Sequence, residues 1–360
     1  MEKRLCIFCD EKKTQNDFNK EHIIPDALGN ESLIIDCVCK DCNSLLGSRI
    51  DVHLTDSFYL IGKRAKLNLK GKSGKVPYIL TNATGMKTVE NNRGVSLKYN
   101  KRKEQYDIRV HPKVIAEEDG RIRIIASTAD EIINIANTRK IRKKGKGLSD
   151  KERLALIEEI EKNKKTNEKK ENREGVAINI KLEYDLRKIE LAFLKIAYEL
   201  LYFISISSGD IINTEKLRNE ETINKIREVL YLEMIGNEDA KDENYDNYWE
   251  VSIKTDRDME EFINKDNVTR FEKEIEQILG NNNWHFINIL NINKQKEILI
   301  IIRLLNIVTS IIVIKSIEIA DGIPFSIPLI VDSTSKRCIS LQADIITKLI
   351  PNLVVSKKRN

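Results

Sequence analysis

The alternation of apolar and polar residues between positions 61 and 127 is typical of short β-strands. Apolar residues recur there at every second position, and turn residues separate the alternating segments. A two-residue period places the apolar side chains on one face of a strand, so we expect an antiparallel sheet or ribbon. The strand candidates are residues 76–81, 95–100, 105–111 and 121–127.

Residues 185–206 carry the strongest helical pattern of the chain. Ile189, Phe193, Ile196 and Leu200 recur at intervals of three and four, which is the period of one helix face. Further apolar residues cover much of the remaining circumference, so we expect this helix at the centre of a core.

Other segments follow the same two periods. Ser149 and Glu152 form a capping-box pattern that predicts the start of a helix. After residue 175 the mixture of helices and strands is typical of the α+β class. Helices are predicted within residues 214–231 and 256–279, and strands at residues 176–182, 284–292, 297–305 and 308–319.

The size and composition fit a folded protein of several domains. The chain has 360 residues, of which 41% are hydrophobic and 32% are charged. This length is sufficient for two or three domains with a substantial core. The Lys, Glu and Asn run at residues 162–175 predicts a linker. We therefore expect a head at residues 1–60, a basic β-rich segment with a charged helix and this linker at 61–174, and an α+β domain at 175–360.

A cytoplasmic location is the expectation from the remaining apolar stretches. The most apolar one, residues 298–319, is interrupted by Arg303, Asn306 and Lys315. It therefore lacks the run of roughly 18 to 20 uncharged residues that a membrane span needs. The first residues, Met-Glu-Lys-Arg, contain no apolar core of a secretory signal.

The net charge of +5 is distributed unevenly along the chain. Residues 1–60 hold 7 Lys and Arg against 11 Asp and Glu, whereas residues 61–146 hold 22 against 8. A basic segment after an acidic head favours a polyanionic substrate, although a solvated basic surface is the alternative. The candidate nucleic-acid contacts are Lys63, Arg64, Lys66, Lys101, Arg102 and Lys103.

Five of the six cysteines lie in the head, which favours metal binding in a reducing compartment over a disulfide scaffold. Cys6 and Cys9 form one Cys-x-x-Cys pair, and Cys39 and Cys42 form another. A two-residue spacer lets both thiolates of a pair face one ion, so the two pairs predict a tetrahedral structural zinc site. Cys37 does not fit this spacing and is expected to be a small buried residue.

The order of residues in the head resembles the zinc-containing branch of the HNH endonucleases. Residues 21–25, Glu-His-Ile-Ile-Pro, lie between the two cysteine pairs, Asn43 follows the second pair, and Asp51 ends a Gly-Ser-Arg-Ile-Asp segment. Members of this family fold as a ββα-metal unit in which two strands and a helix hold one catalytic divalent ion. The resemblance therefore implies an α+β protein with a zinc-stapled ββα-metal unit followed by a mixed α+β domain.

The resemblance also implies roles for three residues. His22 would be the general base, and Glu21 and Asn43 would hold Mg²⁺ or Mn²⁺. Phosphodiester hydrolysis needs a base to activate water and a cation to neutralise charge on the phosphate, so these residue types fit the reaction. Asp51 faces the metal region in one interpretation and is an ordinary helical surface acid in the other.

The substrate and partners follow by the same analogy. We expect nucleic acid, with DNA favoured over RNA, and a bacterial defence effector is the role that two-part nucleases of this kind suggest. One HNH unit makes one nick, so a double-strand break would require a homodimer or sequential nicking.

The rival interpretation is a zinc-stabilised nucleic-acid-binding module without turnover. Taken singly, His22 fits a surface histidine and Asn43 fits a helix cap. The adjacency of Glu21 and His22 favours the nuclease, because a structural zinc unit has no need of it. The sequence departs from the family in one respect, since no middle Asn follows Asn30, and Asp36 or Ser32 are the expected substitutes.

Overall fold

The computed structural model divides the chain into two compact units. One unit combines residues 1–76 with residues 184–360, and the other comprises residues 77–183. The head and the C-terminal α+β domain, predicted as separate regions, thus share one unit. Within the described part of the chain, no helix is long and apolar enough to cross a membrane. The structure describes residues 3–71, 74–77, 87–88, 94–100, 102–103, 105–116, 122–126, 129–137, 142–143, 146–147, 149–162, 178–179, 185–208, 212–237, 245–255, 265–292, 296–317 and 325–340.

The head has the strand–strand–helix order that the sequence predicts. Strands β1 (Lys3–Leu5) and β2 (Lys12–Thr14) form a hairpin whose turn carries the first cysteine pair. Strand β3 (Phe18–His22) pairs antiparallel with β4 (Ile34–Cys39), which leads directly into helix α1 (Lys40–Leu45). Strands β3 and β4 with helix α1 form the ββα unit.

The helical segment continues beyond α1. A π turn at Leu46–Ile50 joins α1 to α2 (Asp51–Thr55), and α3 (Phe58–Leu67) follows. Leu54 and Leu60 are fully buried, so one face of this segment belongs to the core.

The described residues between 77 and 183 form short antiparallel hairpins and two helices. The predicted strand at 95–100 is confirmed with the same bounds, and those at 105–111 and 121–127 are confirmed with slightly shorter bounds. Most of 76–81 and of 162–175 lies outside the described residues. Three hairpins are formed by β6 (Val95–Asn100) with β7 (Gln105–Val110), by β8 (Lys113–Ala116) with β9 (Ile122–Ile125), and by β10 (Arg142–Lys143) with β11 (Lys146–Gly147). Strand β5 (Lys87–Thr88) pairs with β12 (Ile178–Asn179). The helices are α4 (Ala129–Asn137) and α5 (Asp150–Lys162).

The predicted capping box at the start of α5 is present. The Ser149 hydroxyl and N–H both donate to the Glu152 carboxylate, and the Glu152 N–H donates back to the Ser149 hydroxyl. These bonds satisfy N–H groups that have no partner within the helix, which explains why α5 begins there.

The C-terminal part of the larger unit begins with helices. The strongest predicted helix is confirmed as α6 (Leu186–Ser207), with the Asp185 carboxylate capping its first turn. The prediction at 214–231 corresponds to two helices, since Glu220 has extended dihedral angles between them. The remaining helices of this part are α7 (Thr214–Asn219), α8 (Glu221–Ile235) and α9 (Lys265–Leu279).

Six antiparallel strands complete this unit. The sheet has the order β13-β16-β15-β14-β17-β18, and the apolar stretch at 298–319 supplies two of its inner strands, β15 and β16. The strand bounds are Trp249–Thr255 for β13, Trp284–Ile292 for β14, Glu297–Leu304 for β15, Val308–Ile314 for β16, Ser326–Asp332 for β17 and Arg337–Ser340 for β18.

Strands β13, β17 and β18 were not predicted. Strand β17 contains Pro328, and a proline argues against a strand with two neighbours because it lacks a donor. Pro328 pairs with Asn288 of β14, while the pairing of β17 with β18 starts only at Leu329. The proline therefore lies where β17 has one neighbour.

The head and the C-terminal elements share one hydrophobic core. Buried residues of the head such as Ile23 and Leu28 belong to the same cluster as Phe193 of α6 and Ile300 of β15. The head therefore completes its core with residues that lie more than 150 positions later, which explains why it does not form a unit of its own.

Candidate metal and catalytic site

The four cysteines of the two predicted pairs meet at one point. Their sulfur atoms all lie within 4.8 Å of one another, and the Cys9 and Cys39 sulfurs are 3.9 Å apart. Tetrahedral zinc with Zn–S bonds of about 2.3 Å separates its sulfurs by about 3.8 Å, so the cluster fits a zinc ion. In the described part of the chain, this is the only set of three or more Cys, His, Asp or Glu residues close enough to share an ion.

Hydrogen bonds among the thiols distribute their protons unevenly. A hydrogen bond from the Cys42 thiol lowers the pKa of Cys6 to about 5, whereas burial raises the pKa of Cys9 to about 12. The Cys39 N–H also donates to the Cys6 sulfur at 3.4 Å. Cys6 therefore loses its proton most readily among the thiols whose pKa is shifted, and zinc binding would release protons from thiols that still hold them.

Cys37 stays outside the cluster, as expected for a small buried residue. Burial raises the pKa of its thiol to about 12, so it stays protonated. Its carbonyl accepts a hydrogen bond from the Ile7 N–H at 3.1 Å, which joins the first cysteine turn to β4.

Asn43 connects helix α1 to strand β3. The residue is buried, and its amide nitrogen donates to the Lys20 carbonyl at 3.1 Å. This contact lies at a register shift in the pairing of β3 with β4, between Asn19 and Glu21. The structure therefore brings Asn43 next to the residue that precedes the Glu21–His22 dipeptide.

Glu21 and His22 occupy different environments. Glu21 is 4% exposed, whereas the side chain of His22 is half-buried. Consecutive side chains of a strand point to opposite faces, which explains the difference. Glu21 faces the interior of the unit, and His22 retains access to solvent.

The carboxylate of Glu21 binds a lysine that sequence reasoning missed. Lys195 of α6 is fully buried, and its ammonium nitrogen lies 2.7 Å from Glu21 Oε1. The same nitrogen lies 3.0 Å from Glu199 Oε2 and 3.4 Å from Asp51 Oδ1, and it donates to the His22 carbonyl at 3.1 Å. Asp51 is therefore directed inward. The signal in the sequence is a Lys–Glu pair four residues apart in a helix that is apolar on most sides.

The acidic and basic groups of this cluster, formed by Lys195, Glu21, Asp51 and Glu199, are unequal in number. Burial raises the pKa of Glu199 well above its ordinary value. Burial alone would lower the pKa of Lys195, but the neighbouring Asp51, Glu199 and Glu21 raise it well above its ordinary value. One ammonium thus faces three carboxyl groups, and this surplus of acidic groups favours a cation nearby.

Asn30 holds the loop between β3 and β4. Its amide nitrogen donates to the carbonyls of Ile24 and Leu33 at 2.7 and 2.9 Å, and its Oδ1 accepts from the N–H groups of Ser32 and Leu33. The expectation that Asp36 or Ser32 shapes this loop is therefore corrected. Asn30 can do so from its earlier position because the loop folds back over its side chain.

The same loop is fixed from the C-terminal sheet. The ring of His285 accepts from the Leu305 N–H at Nδ1 and donates from Nε2 to the Leu28 carbonyl at 3.0 Å. Burial lowers the pKa of His285 to about 4, so the ring is neutral. Gly29 has a φ of 90°, and a Cβ there would lie 2.7 Å from Ser333, so both the backbone and the close approach require glycine.

The structure separates the predicted nucleic-acid contacts into two groups. Arg64 is buried, and its guanidinium donates to the carbonyls of Ala27 and Thr55 and to Asp56. This corrects the prediction that Arg64 contacts a phosphate, because its donors stabilise the head itself. Among the remaining candidates, Lys66, Arg102 and Lys103 are exposed and Lys63 is half-buried. Lys101 is not among the described residues.

The comparison with known proteins agrees with this geometry. Residues 6–59 match the family model described as HNH endonuclease. No curated protein and no solved structure matches the chain. The match begins at the first cysteine of the cluster and includes the Glu21–His22 dipeptide, Asn43 and the loop held by Asn30. Residues 6–59 are thus similar to the HNH endonuclease family.

Proposed function

We propose that this protein is a metal-dependent endonuclease that hydrolyses phosphodiester bonds of nucleic acid. The observation that carries the proposal is the junction of β3 and α1, where Asn43 contacts the residue preceding Glu21 and His22. Glu21 and His22 of β3 and Asn43 of α1 therefore come from a strand and a helix, the kinds of element that hold the metal ion in the ββα-metal unit of the family. The family match supports nuclease activity, and the individual roles below are proposals.

His22 acts as the general base in this proposal. An imidazole titrates near neutral pH and can accept a proton from the attacking water. Its side chain is half-buried, so it can meet a substrate without any opening of the core. Its backbone is fixed by the hydrogen bond from Lys195 to the His22 carbonyl.

Glu21 and Asn43 would hold Mg²⁺ or Mn²⁺. Carboxylate and amide oxygens are hard ligands of the kind that both ions prefer. The nitrogen of the Asn43 amide is engaged with Lys20, which leaves its oxygen to face a cation. The surplus of carboxyl groups around Lys195 also supports a cation at this place. When bound, such an ion supplies charge neutralisation at the scissile phosphate.

The substrate contacts are proposed at basic side chains that are exposed or half-buried. Lys63 and Lys66 of α3, and Arg102 and Lys103 in the turn after β6, can neutralise phosphates without losing internal partners that the fold requires. DNA is favoured over RNA by the family resemblance, and Lys101 stays a candidate from the sequence. A homodimer for double-strand cleavage and a role in defence rest on the resemblance alone.

The test is cleavage of plasmid and single-stranded DNA and of RNA with Mg²⁺ or Mn²⁺. We expect His22→Ala to reduce cleavage by roughly 10²- to 10⁴-fold, which is the usual contribution of general acid–base catalysis. Zinc content and thermal stability should remain at the wild-type values. His53→Ala provides the matched control, because His53 lies in the same domain on α2 and has no role in the proposed reaction.

Two outcomes would contradict the proposal. Equal cleavage by the wild type and His22→Ala would show that His22 is not the base. Binding of nucleic acid by both proteins without cleavage under either ion would instead support the zinc-stabilised binding module.

A further inference from the structure

Lys195 is the group through which helix α6 contacts the candidate active site. Its ammonium donates to Glu21 Oε1 at 2.7 Å and to the His22 carbonyl at 3.1 Å. One buried cation therefore fixes the carboxylate of the proposed metal ligand and the main chain of the proposed base.

The position of this ammonium is determined by the fold. Lys195 is fully buried in a helix of 22 residues, and Glu199 lies one helical turn later with its Oε2 at 3.0 Å. Asp51 Oδ1 approaches from the head at 3.4 Å. A buried ion among opposite charges has little freedom to move, so the ammonium is already in place before a substrate binds.

We propose that Lys195 is a positioning residue of the nuclease, which makes helix α6 part of the active site. This inference rests on the proposed function and extends it beyond the family match at residues 6–59. By binding one oxygen of Glu21, Lys195 fixes the carboxylate and leaves the second oxygen for the divalent ion. By binding the His22 carbonyl, it fixes the strand end that carries the base.

The proposal predicts opposite effects on turnover and on metal affinity when the ammonium is removed. Turnover should fall because the dipeptide loses its support, and small displacements of reacting groups cost about 100-fold. Mn²⁺ should bind more tightly, by about tenfold, because a like charge near Glu21 is gone and both oxygens become available. A lysine with a purely structural role would not produce this combination.

The experiment compares the wild type with Lys195→Met in two assays on the full chain. Plasmid cleavage at saturating Mn²⁺ measures the turnover number kcat, and electron paramagnetic resonance of free Mn²⁺ measures the dissociation constant. Glu21→Gln shows whether the Mn²⁺ site includes Glu21. Lys188→Met is the matched control, because Lys188 lies on the same helix and pairs with Glu233, away from the site. We expect this control to retain wild-type values.

A second variant tests the proposal if Lys195→Met does not fold. Lys195→Met combined with Glu199→Gln removes one ammonium and one carboxylate together, and neutral replacement of buried ion pairs is often tolerated. The expected result for this variant is the same loss of turnover with zinc content preserved.

Three results would overturn the proposal. A kcat within twofold of the wild type would show that Lys195 does not position the reacting groups. An increase in kcat would show that the ammonium competes with the metal ion. If the wild type cuts no substrate, the proposed function fails and this inference fails with it, whereas equal cutting by the wild type and Lys195→Met rejects this inference alone.

Discussion

The head has a cysteine end, formed by the four-cysteine cluster, and a Glu21 end, formed by Glu21, His22 and the loop between β3 and β4. Different interactions hold the two ends in place. The cysteine end consists of the four-cysteine cluster, whose ligands all lie within the first 42 residues of the chain. At the Glu21 end, Lys195 binds a carboxylate that lies 174 positions earlier, and His285 binds the Leu28 carbonyl across 257 positions. The first end depends on an ion and on local spacing, and the second depends on the completed fold.

Loss of a zinc ligand should destabilise the cysteine end more than any other change considered. We expect Cys42→Ser to lose zinc and to unfold the head, because structural zinc contributes about 10 kcal/mol or more, comparable to the whole stability of a domain. Metal analysis and thermal unfolding provide the measurement. Cys37→Ser is the control, since this buried cysteine lies outside the cluster and its variant should retain zinc. Full zinc content in Cys42→Ser would contradict the four-cysteine assignment.

Removal of the Asn30 side chain should destabilise the Glu21 end without releasing zinc. Asn30→Ala leaves the Ile24 carbonyl and two N–H groups without this partner, whereas the Leu33 carbonyl still accepts from the Ile23 N–H, and we expect a loss of about 3 kcal/mol in the free energy of unfolding. Chemical denaturation with parallel zinc analysis measures both properties. Asn19→Ala changes an exposed residue of the same strand pair and should cost little. A loss below about 1 kcal/mol for Asn30→Ala would show that the loop is held by other contacts.

The pH dependence of stability should report on His285. Its pKa is lowered by burial to about 4 from an ordinary value of 6.5, so the unfolded chain binds the proton more readily. The stabilisation is complete above pH 6.5 and is lost as the pH falls towards 4. We expect about 2 kcal/mol of loss between pH 7.5 and pH 5.

The comparison with His285→Gln isolates this contribution. Acid also protonates the cysteine ligands, but that effect is common to both proteins and cancels in the difference. The variant should be less stable at pH 7.5 and should lose less stability on acidification. Parallel pH profiles for the two proteins would show that His285 does not titrate in this way.

The smallest effect is expected at an exposed ion pair of the cysteine end. Lys13 lies 2.9 Å from Asp41, whose side chain is largely exposed. We expect Asp41→Asn to change the free energy of unfolding by less than about 0.5 kcal/mol, because exposed pairs contribute little. Denaturation at low and high salt checks this value. A loss above about 1 kcal/mol would show that surface charge stabilises the cysteine end.

The features predicted from the sequence are those in which neighbouring residues carry the information. The spacing of the cysteines predicted a cluster that the structure confirms, and the period of Ile189 and Phe193 predicted α6 almost to its ends. The strands β14, β15 and β16 followed from continuous apolar runs, since both faces of these strands are largely buried. The family resemblance of the head depended on the same local order.

The features that could not be predicted depend on contacts between distant parts of the chain. Lys195 stood in an apolar helix without any indication that Glu21 would be its partner. The role of Asn30 required the path of the loop, and the internal role of Arg64 required the position of Ala27. A basic residue in a basic segment has the same sequence pattern whether it binds phosphate or the carbonyls of its own domain.

The π turn at Leu46–Ile50 keeps Asp51 on the same side of the helix as Asn43 although the two residues are eight positions apart. The Asp51 N–H donates to the Leu46 carbonyl five positions earlier, so the turn accommodates one residue more than an α-helix would. Asn43 and Asp51 are therefore spaced as if by seven positions, about 20° from perfect alignment, whereas eight positions of a regular helix would place them about 80° apart. Deletion of one residue here would restore a regular helix and preserve this alignment. Homologous domains that keep both residues at the site should therefore separate them either by eight positions with a π turn or by seven positions in a regular helix.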